Sequence, residues 1–336
     1  MLDKNGNGAR RMVRVEDVAR EAGVSPITVS RALSNPEKVK EETRKKVEAA
    51  VAKTGYVVNR FASSLRSGHS TIISMFVSNL ANPHYGRAIQ GCADALEGSR
   101  YHLLMAQTGY SAKMQESMLA EVMPFRPAAM IFTGRIHSQP MRDQLRAMDL
   151  PVMEMWDHAP DPVDMLVGFS AAEGGKLMGS HFVARRFKSV AYAGWSDDDD
   201  GQRLAGFVDG LGRRPELVLP IAGPRNFEAG MLAFSTILKK LPTCDAVFFG
   251  GDDLAVGALL QARKMGVDVP GKVAVAGYGD LEFSQHVTPA ITTLHVSGYE
   301  MGRAAGDMLL KRLLKQESGP RSVLSPIELM VRESTG

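Results

Sequence analysis

The sequence predicts a small all-α head followed by a large parallel α/β body. The first 69 residues have the pattern of short helices. From Thr71 onward, short apolar runs alternate with longer helical segments, which is the pattern of buried parallel strands with helices on both faces. A chain of 336 residues is long enough for such a head plus one large or two medium domains.

The head begins with a helix at about 15–22 that ends in a tight turn. Val15, Val18, Ala19 and Ala22 lie at i, i+3, i+4 and i+7, so they share one helix face. Gly23 supplies the left-handed backbone that a helix end needs. The small residues at this end let a second helix cross closely.

The second and third helices of the head are predicted from their end signals. Ser25 can cap a helix at about 26–33, and Pro26 fits its first position because proline lacks the N–H that would be unpaired there. A third helix at about 41–54 starts with two acidic residues and ends at Gly55. The first two helices and their turn form a helix-turn-helix.

The body is predicted to alternate strands and helices throughout. Strands are expected at about 72–77, 102–106, 128–132, 151–155, 189–194, 217–221, 245–250 and 273–277. Helices are expected at about 85–97, 113–123, 139–148, 173–185, 202–211, 227–240, 252–266 and 299–314. Ligands of open α/β sheets bind at the carboxyl ends of the strands, so a site is expected there.

Residues 17–31 match a known pattern without a gap. The sequence Asp17-Val-Ala-x-x-Ala-Gly-Val-Ser-x-x-Thr-Val-Ser-Arg31 resembles the LacI family of transcriptional regulators, and the similarity continues through Asn35-Pro36 and from Gly55 to Leu65. The resemblance implies a helix-turn-helix DNA-binding domain at 1–58, a hinge helix and linker at 59–70, and a core at 71–336. The full fold class expected is therefore a small all-α helix-turn-helix head joined by a hinge helix to an α/β two-lobed periplasmic-binding-protein-like core.

The same resemblance implies how the core divides. Lobe one should comprise about 71–168 and 298–325, and lobe two about 169–297 and 326–336. The chain would then pass between the lobes three times, which places a hinge and a ligand cleft between them.

The resemblance implies that the second helix reads DNA in the major groove. The base-reading positions correspond to Pro26, Ile27 and Arg31. Arg31 can reach a guanine edge, Ile27 can make only apolar contact, and Pro26 restricts the site by shape. Contacts to phosphate are expected from four polar side chains, which are Ser25, Thr28, Ser34 and Asn35.

The hinge helix is expected at 59–66, with DNA contacts from Asn59 and Arg66. Leu65 would be an apolar wedge in the minor groove, and Ala62 would let the hinge helices of two subunits lie side by side. Such a short helix is marginal alone in water. The alternative is that Leu65 packs on the core as part of a linker.

Several segments of the core are similar to one branch of the family, the repressors of gluconate use. These are Gly109-Tyr110, 133–137, 152–156 and 167–169. A sugar acid needs a planar cation for its carboxylate and polar groups for its hydroxyls. The expected effector contacts are Tyr85, Thr133, Arg135, His137, Trp156, Arg203, Arg225 and Asp280.

Two of these expectations carry alternatives. Arg203 matches the arginine that holds the effector in sugar-binding and purine-binding relatives, but it could instead form an interlobe salt bridge. Asp280 lies one place after the family's usual aspartate, because Gly279 intervenes after Gly277-Tyr278. The acidic run 197–200 is interpreted as a solvated loop or as a source of one or two hydroxyl contacts.

Charge and cysteine usage agree with this interpretation. Residues 1–69 hold 14 basic and 8 acidic side chains, a net charge of +6, and the rest of the chain carries −3. A basic head suits a polyanion at one end of the molecule. Two isolated cysteines, the lack of a signal-like stretch and the lack of a membrane-length apolar run lead us to expect a cytoplasmic protein with no membrane partner.

The function expected from the sequence is a homodimeric transcriptional repressor, released from double-stranded operator DNA by gluconate or a related aldonic acid. We expect no cofactor, no metal and no catalytic residue, since nucleophile–base spacing, metal clusters and a dinucleotide fingerprint are lacking. The alternatives are a regulator with another effector (2-ketogluconate, a neutral sugar or a corepressor) and, more remotely, a sugar-binding protein or an enzyme.

Overall fold

The computed structural model describes residues 13–57, 70–158, 160–195, 198–223, 225–316 and 320–336. The chain separates into two compact units, Met1–His69 and Ser70–Gly336. Within the described residues, no helix combines the length and the apolar character needed to span a bilayer.

The head unit contains three α-helices among its described residues: α1 (Val15–Ala22), α2 (Pro26–Ser34) and α3 (Glu41–Thr54). The predicted end signals are confirmed. Gly23 has φ +66°, and the Ser25 Oγ accepts a hydrogen bond from the Thr28 N–H at 3.1 Å. Asn35 follows α2, which runs one residue further than expected.

The helices of the head pack around a core of small and β-branched side chains. Val18, Val29 and Val47, one from each helix, are completely buried. Alanines of the same helices complete this cluster. Because these side chains are short, the three helices lie close together and present their polar faces outward.

The second unit contains two parallel sheets, one in each lobe. The lobe-one sheet has the strand order β11-β5-β4-β3-β1-β2. Its strands are β1 (Ile72–Val77), β2 (His102–Gln107), β3 (Ala129–Thr133), β4 (Val152–Asp157), β5 (Met165–Phe169) and β11 (Ser322–Leu324). Its helices are α4 (Pro83–Leu96), α5 (Ala112–Val122), α6 (Gln139–Ala147) and α11 (Gly298–Leu313).

The lobe-two sheet has the order β7-β6-β8-β9. Its strands are β6 (Val190–Trp195), β7 (Leu217–Ile221), β8 (Ala246–Phe249) and β9 (Ala274–Ala276). Its helices are α7 (Ala171–Ala184), α8 (Asp198–Leu211), α9 (Phe227–Lys240) and α10 (Asp252–Met265). The fold class expected from the sequence, helix-turn-helix head plus two-lobed α/β core, is thus observed; the hinge helix lies outside the described residues.

Three chain segments connect the lobes. The chain passes from β5 into α7, returns from β10 (Thr293–His295) into α11, and passes again from β11 into β12 (Glu328–Met330). β10 and β12 pair antiparallel, so two of these segments run side by side. The carboxyl ends of the parallel strands in both sheets meet the cleft that these segments flank.

Pairs of helices that pack on the sheets approach each other closely at glycines. A Cβ built on Gly175 of α7 would collide with the backbone of Arg203 in α8, and one on Gly302 of α11 would collide with the backbone of Ala88 in α4. Larger side chains at these two positions would push the helix pairs apart.

The structure differs from the expected elements in two ways. β5, β10 and β11 were not predicted as strands, because each is short or interrupted by a glycine such as Gly168. Helix α8 starts at Asp198 rather than near 202, since acidic residues are favoured in the first turn of a helix.

Both cysteines are buried, and neither forms a disulfide. Burial raises the pKa of the Cys92 and Cys244 thiols to about 12. The reactive thiolate is therefore scarce at neutral pH, and these side chains are packing residues.

Candidate functional site

A cavity of about 390 Å³ lies between the two lobes of the second unit. Its walls come from the carboxyl ends of β4, β5 and β6 and from the amino-terminal turns of α4 and α10. Sites of this size, mostly apolar and carrying a few polar groups, are typical for small molecules. The residues that matter for its chemistry are Tyr85, Tyr110, Trp156, Phe169, Trp195, Arg203, Arg225, Asp253 and Tyr278.

One wall of the cavity is a continuous row of aromatic rings. The Trp156 ring lies 4.7 Å from the Tyr85 ring and 6.0 Å from the Phe169 ring, measured between centroids. The Phe169 ring in turn lies 6.3 Å from the Tyr278 ring of lobe two. Such a wall suits the C–H faces of a carbon chain or sugar.

Trp156 has a strained backbone. Its φ is +94°, although it is neither a glycine nor in a turn but the penultimate residue of β4. A bulky residue in this region costs of order 1–3 kcal/mol and is held there only by its surroundings. The strain aims the indole at Tyr85 and His84 in the cavity wall.

Arg203 is a buried cation in the lobe-two wall. It comes from α8, and its guanidinium lies over the Tyr278 ring, with the Cζ atom 3.9 Å from the centroid. Its Nη1 donates to the Gly250 carbonyl at 3.0 Å. These two contacts fix the plane of the guanidinium at the edge of the cavity.

Arg225 contacts both lobes. It follows β7 in lobe two, and its Cζ atom lies 5.0 Å from the Trp195 ring of that lobe and 4.4 Å from the Tyr110 ring of lobe one. Because Tyr110 follows β2, this contact spans the mouth of the cleft. Arg225 therefore combines a positive charge with a cross-cleft cation–π contact.

Two carboxyl groups border the same cavity, at the start of α10. Asp252 is completely buried and accepts hydrogen bonds from Leu281 N (2.8 Å), Ser284 Oγ (2.7 Å) and Thr293 Oγ1 (2.6 Å). Burial raises the pKa of Asp252 to about 6, and these donors oppose that rise. Asp252 thus holds the chain after β9 in place.

Asp253 is the carboxyl group next to the open space. Burial raises the pKa of Asp253, while the Leu254 N–H and the charge of Arg225 act in the opposite direction. Its Oδ1 accepts a hydrogen bond from the Leu254 N–H at 2.9 Å. It is the acceptor best placed among the described carboxylates for a ligand hydroxyl.

The outer face of α2 in the head is exposed. Ile27 has 71% of its surface accessible, an unusual value for isoleucine. Pro26, Arg31 and Asn35 are also exposed. An exposed apolar side chain beside an arginine on one short helix is the arrangement expected of a surface that reads base edges.

The polar residues around this face are ordered by local hydrogen bonds. The hydroxyls of Ser25 and Thr28 lie 2.9 Å apart, and the Ser34 Oγ donates to the Ser30 carbonyl at 2.6 Å. The residues expected in the hinge helix, Asn59, Ala62, Leu65 and Arg66, lie outside the described residues.

Comparison with known proteins identifies both parts of the chain. Residues 14–59 match the family described as bacterial regulatory proteins, lacI family, and residues 180–335 match the periplasmic binding protein-like domain. The HTH-type transcriptional regulator GntR of Pseudomonas aeruginosa is 32% identical over 341 aligned positions, which cover 99% of each chain. The chain belongs to the LacI family. It is a DNA-binding transcriptional regulator.

Further LacI-family relatives agree with this assignment. The HTH-type transcriptional repressor PurR of Edwardsiella ictaluri is 28% identical over 96% of this chain and 97% of its own. The crystal structure of the lac repressor dimer bound to operator and the anti-inducer ONPF superposes with a TM-score of 0.81, at 26% identity over 97% of this chain and 99% of that one.

The cavity brings together four of the side chains expected in a LacI-family effector site. Tyr85, Trp156, Arg203 and Arg225 all line it. They come from elements far apart in the sequence, and the common feature that made them predictable is their position near the end of a strand or in the first two turns of a helix.

The other four expected side chains are not among the described residues of the cavity lining. The Thr133 Oγ1 accepts a hydrogen bond from the Ser78 N–H at 2.9 Å, so Thr133 links the ends of β3 and β1. Arg135 is half-buried outside the lining, and His137 is exposed. The turn after β3 thus leads these side chains away from the cavity.

Asp280 is also placed elsewhere. Its Oδ1 accepts from Arg332 Nη2 at 2.6 Å, and its Oδ2 lies 2.9 Å from His295 Nδ1. This network ties together the segments that pass between the lobes. Gly279 and Asp280 both have positive φ values, +126° and +55°, and the bonds to Arg332 and His295 hold the carboxylate outside the lining.

Several lining residues were not among the contacts expected from the sequence, and His84 and Asp253 are two of them. His84 lies directly before Tyr85 in the first turn of α4, and Asp253 lies in the motif at the start of α10. The sequence signal that identified Tyr85 was also present for these two residues, since each lies a few residues after the end of a strand, at the edge of the cleft. A histidine or an aspartate at the start of a helix looks the same in the sequence whether it lines a cavity or faces solvent.

Proposed function

We propose that this regulator represses genes of sugar-acid catabolism and leaves its operator when gluconate or a related aldonic acid binds between its lobes. The observation that carries the proposal is a cavity between the lobes with arginines on the lobe-two side and an aromatic wall on the lobe-one side. The segments that resemble gluconate repressors support the same effector class.

The charges of the cavity favour an anion that also carries hydroxyls. Arg203 offers a planar guanidinium that is already oriented, and such a group pairs with a carboxylate through two parallel hydrogen bonds. A buried site strengthens this pairing relative to water. Asp252 does not oppose it directly, because donors of the protein already occupy its oxygens.

The rest of the ligand has partners as well. The rings of Tyr85 and Trp156 offer an apolar surface for the carbon chain. Asn79, Asn226 and Asp253 are polar lining residues that can hydrogen-bond hydroxyl groups. A linear polyhydroxy acid matches this combination better than a purely apolar or purely charged ligand.

The head supports recognition of operator DNA through α2. Ile27 and Arg31 are exposed and can reach base edges, with Arg31 best suited to guanine. Ser25, Thr28, Ser34 and Asn35 surround them and suit phosphate contacts that set the register. One head covers only a few base pairs, so a dimer on two half-sites is proposed.

An exposed apolar surface on lobe one supports dimerisation. β2 is an edge strand of its sheet, and its Leu104 and Met105 are 38% and 48% exposed. An uncovered edge strand with apolar side chains is a surface that proteins usually cover. The lac repressor dimer on its operator shows one way in which a structurally similar chain assembles.

Release from the operator follows from a shift between two states. A ligand that touches both lobes favours the closed cleft, and the closed cleft changes the placement of the first lobes in the dimer. The hinge segments then lose the arrangement that binds the minor groove. Because the coupling is a free energy between sites, operator binding must weaken effector binding by the same factor.

A thermal-shift screen of aldonic acids, keto-aldonic acids and neutral sugars tests the effector class. We expect gluconate or a close relative to raise the unfolding midpoint, because a ligand at 100 times its Kd stabilises the native state by about 2.7 kcal/mol. A midpoint raised only by neutral sugars or purines would contradict the proposal and would identify the alternative effector.

Arg203→Met tests the site itself. Loss of charge-assisted hydrogen bonds of about 1.5–3 kcal/mol should weaken binding of the acid roughly 10-fold to 100-fold. Lys239→Met is the matched control, because Lys239 lies in the last turn of α9 and outside the described lining. Equal affinities of the Arg203 and Lys239 variants would contradict the assigned role of Arg203.

A further inference from the structure

His84 is the second residue of α4 and lies in the lobe-one wall of the cavity. The helix start holds it firmly: the Asn82 side chain accepts a hydrogen bond from the His84 N–H at 2.9 Å. Its imidazole lies edge-on to the Trp156 ring, with 5.9 Å between centroids. The imidazole is therefore an oriented part of the cavity and not a mobile surface group.

One nitrogen of this imidazole is buried without a partner. The Nε2 atom is inaccessible to solvent, and within the described residues it makes no hydrogen bond. Folded proteins pair nearly all of their buried polar atoms, and the exceptions often belong to functional sites. A buried nitrogen that lacks a hydrogen-bond partner in the wall of a ligand cavity is suited to form a hydrogen bond with the ligand.

The opposite residue explains how the imidazole fits. Gly279 of lobe two also lines the cavity, and a Cβ built there would collide with His84 Nε2. Any larger side chain at position 279 would displace the imidazole, so glycine at this point leaves room for His84 in its present position.

Charged groups from both lobes lie near His84. Asp280 and His295 lie on the lobe-two side, and Arg332 is bonded to Asp280. One turn further along α4, the Nη2 atom of Arg87 lies 3.6 Å from the Oε2 atom of Glu282. Among these, Asp280 favours the protonated imidazole and His295 disfavours it.

Burial is the larger influence, and it lowers the pKa of His84 to about 4. The imidazole is therefore neutral in the ligand-free protein near neutral pH. A carboxylate placed beside it would favour the imidazolium in two ways, through its opposite charge and as an acceptor for the added N–H. Binding of an acid would then draw a proton from solvent.

We propose that His84 is the lobe-one contact of an acidic effector: as the complex forms, the imidazole turns from Gly279 toward the cavity, its Nε2 hydrogen-bonds the ligand's carboxyl group, and it takes up a proton from solvent. This inference rests on the proposed function and names the residue that selects acids over neutral sugars. The imidazolium lies on lobe one and Arg203 lies on lobe two, so an acid contacts cations on both sides and favours the closed cleft. A neutral sugar offers no counter-charge and leaves His84 unprotonated.

The proton itself can be measured by isothermal titration calorimetry. Potassium gluconate is titrated into the full-length protein at pH 6 in MES and in bis-Tris, whose ionisation enthalpies differ. The dependence of the binding enthalpy on the buffer gives the number of protons taken up. We expect an uptake of about 0.1 to 0.9 proton per ligand at pH 6, because a close counter-charge raises a pKa of about 4 by about 1–3 units.

His84→Gln is the central variant, since glutamine can hydrogen-bond but cannot take up a proton at this pH. It should bind gluconate about 10-fold more weakly and without buffer dependence. His286→Gln is the matched control, because His286 is exposed and outside the described lining. The control should retain both the affinity and the proton uptake of the parent protein.

A second measurement does not depend on a variant that folds. The NMR titration of the His84 imidazole in the parent protein should shift to higher pH when gluconate is added. If an acid binds but the parent protein takes up no proton, or His84→Gln takes up as much, the role of His84 is refuted and the proposed function stands. If no sugar acid binds at all, both proposals are refuted.

Discussion

His84 should also make the stability of the body depend on pH in a way that glutamine does not. Its native pKa of about 4 lies below the value of about 6.5 for an exposed histidine. The unfolded chain therefore binds a proton that the native state does not bind. Protonation of His84 in the unfolded chain lowers the free energy of unfolding. This decrease is negligible above pH 7, grows as the pH falls through 6.5, and reaches its full size below about pH 4.

The size of the effect follows from these two values. Between pH 7 and pH 5, linkage through His84 should lower the free energy of unfolding by about 2 kcal/mol. Asp252 acts in the opposite direction, because its native pKa of about 6 lies above that of an exposed aspartate and acidification stabilises the native state. The contribution of Asp252 is common to the parent protein and to His84→Gln, so it cancels in their difference.

Urea unfolding at pH 7 and pH 5 measures this difference. Both tryptophans, Trp156 and Trp195, belong to the body, so their fluorescence reports body unfolding without interference from the head. We expect His84→Gln to gain about 2 kcal/mol relative to the parent protein on going from pH 7 to pH 5. A difference between the two proteins that stays constant within about 0.5 kcal/mol would refute the buried neutral histidine.

Three further substitutions test other parts of the molecule. Ser25→Ala removes the cap that accepts from the Thr28 N–H and should destabilise the head by about 1 kcal/mol in thermal unfolding, whereas Ser25→Asn should not. Tyr110→Ala removes the cross-cleft partner of Arg225 and should weaken gluconate binding about 5-fold in calorimetry, whereas Tyr110→Trp should retain it. Leu65→Ala should keep effector binding but lose most operator affinity; an unchanged gel shift would eliminate the wedge.

The head was predictable because its signals are local. Gly23 and Ser25 define the turn between α1 and α2 from side-chain chemistry that needs no distant partner. The alternation of strands and helices in the body was predictable for a similar reason, since buried parallel strands are apolar along their whole length. Short strands such as β10 lack that signal, because three residues are too few for a pattern.

The cavity was predictable only in part. Arg203 and Trp156 were found from motif and strand-end position, which place a residue near the cleft but do not orient its side chain. Thr133 satisfies the same criterion, yet its hydroxyl turns into the sheet and bonds Ser78. His84 was missed because its significance depends on the glycine opposite, which lies 195 positions away in the sequence.

Asp280 shows why a single intervening residue matters. The sequence showed that Gly279 displaces it by one place, but not where the displaced carboxylate would go. In the structure it bonds Arg332 and His295, and it holds the segments between the lobes together. The residue expected to bind hydroxyls is thus part of the hinge.

The most direct test of the whole account is a titration of gluconate into the full-length protein bound to a fluorescent palindromic operator, followed by anisotropy. We expect saturating gluconate to weaken operator binding at least about 10-fold, which corresponds to about 1.4 kcal/mol of coupling, while the neutral polyol glucitol has no effect. An operator affinity that is unchanged at millimolar gluconate, or that increases, would contradict the account.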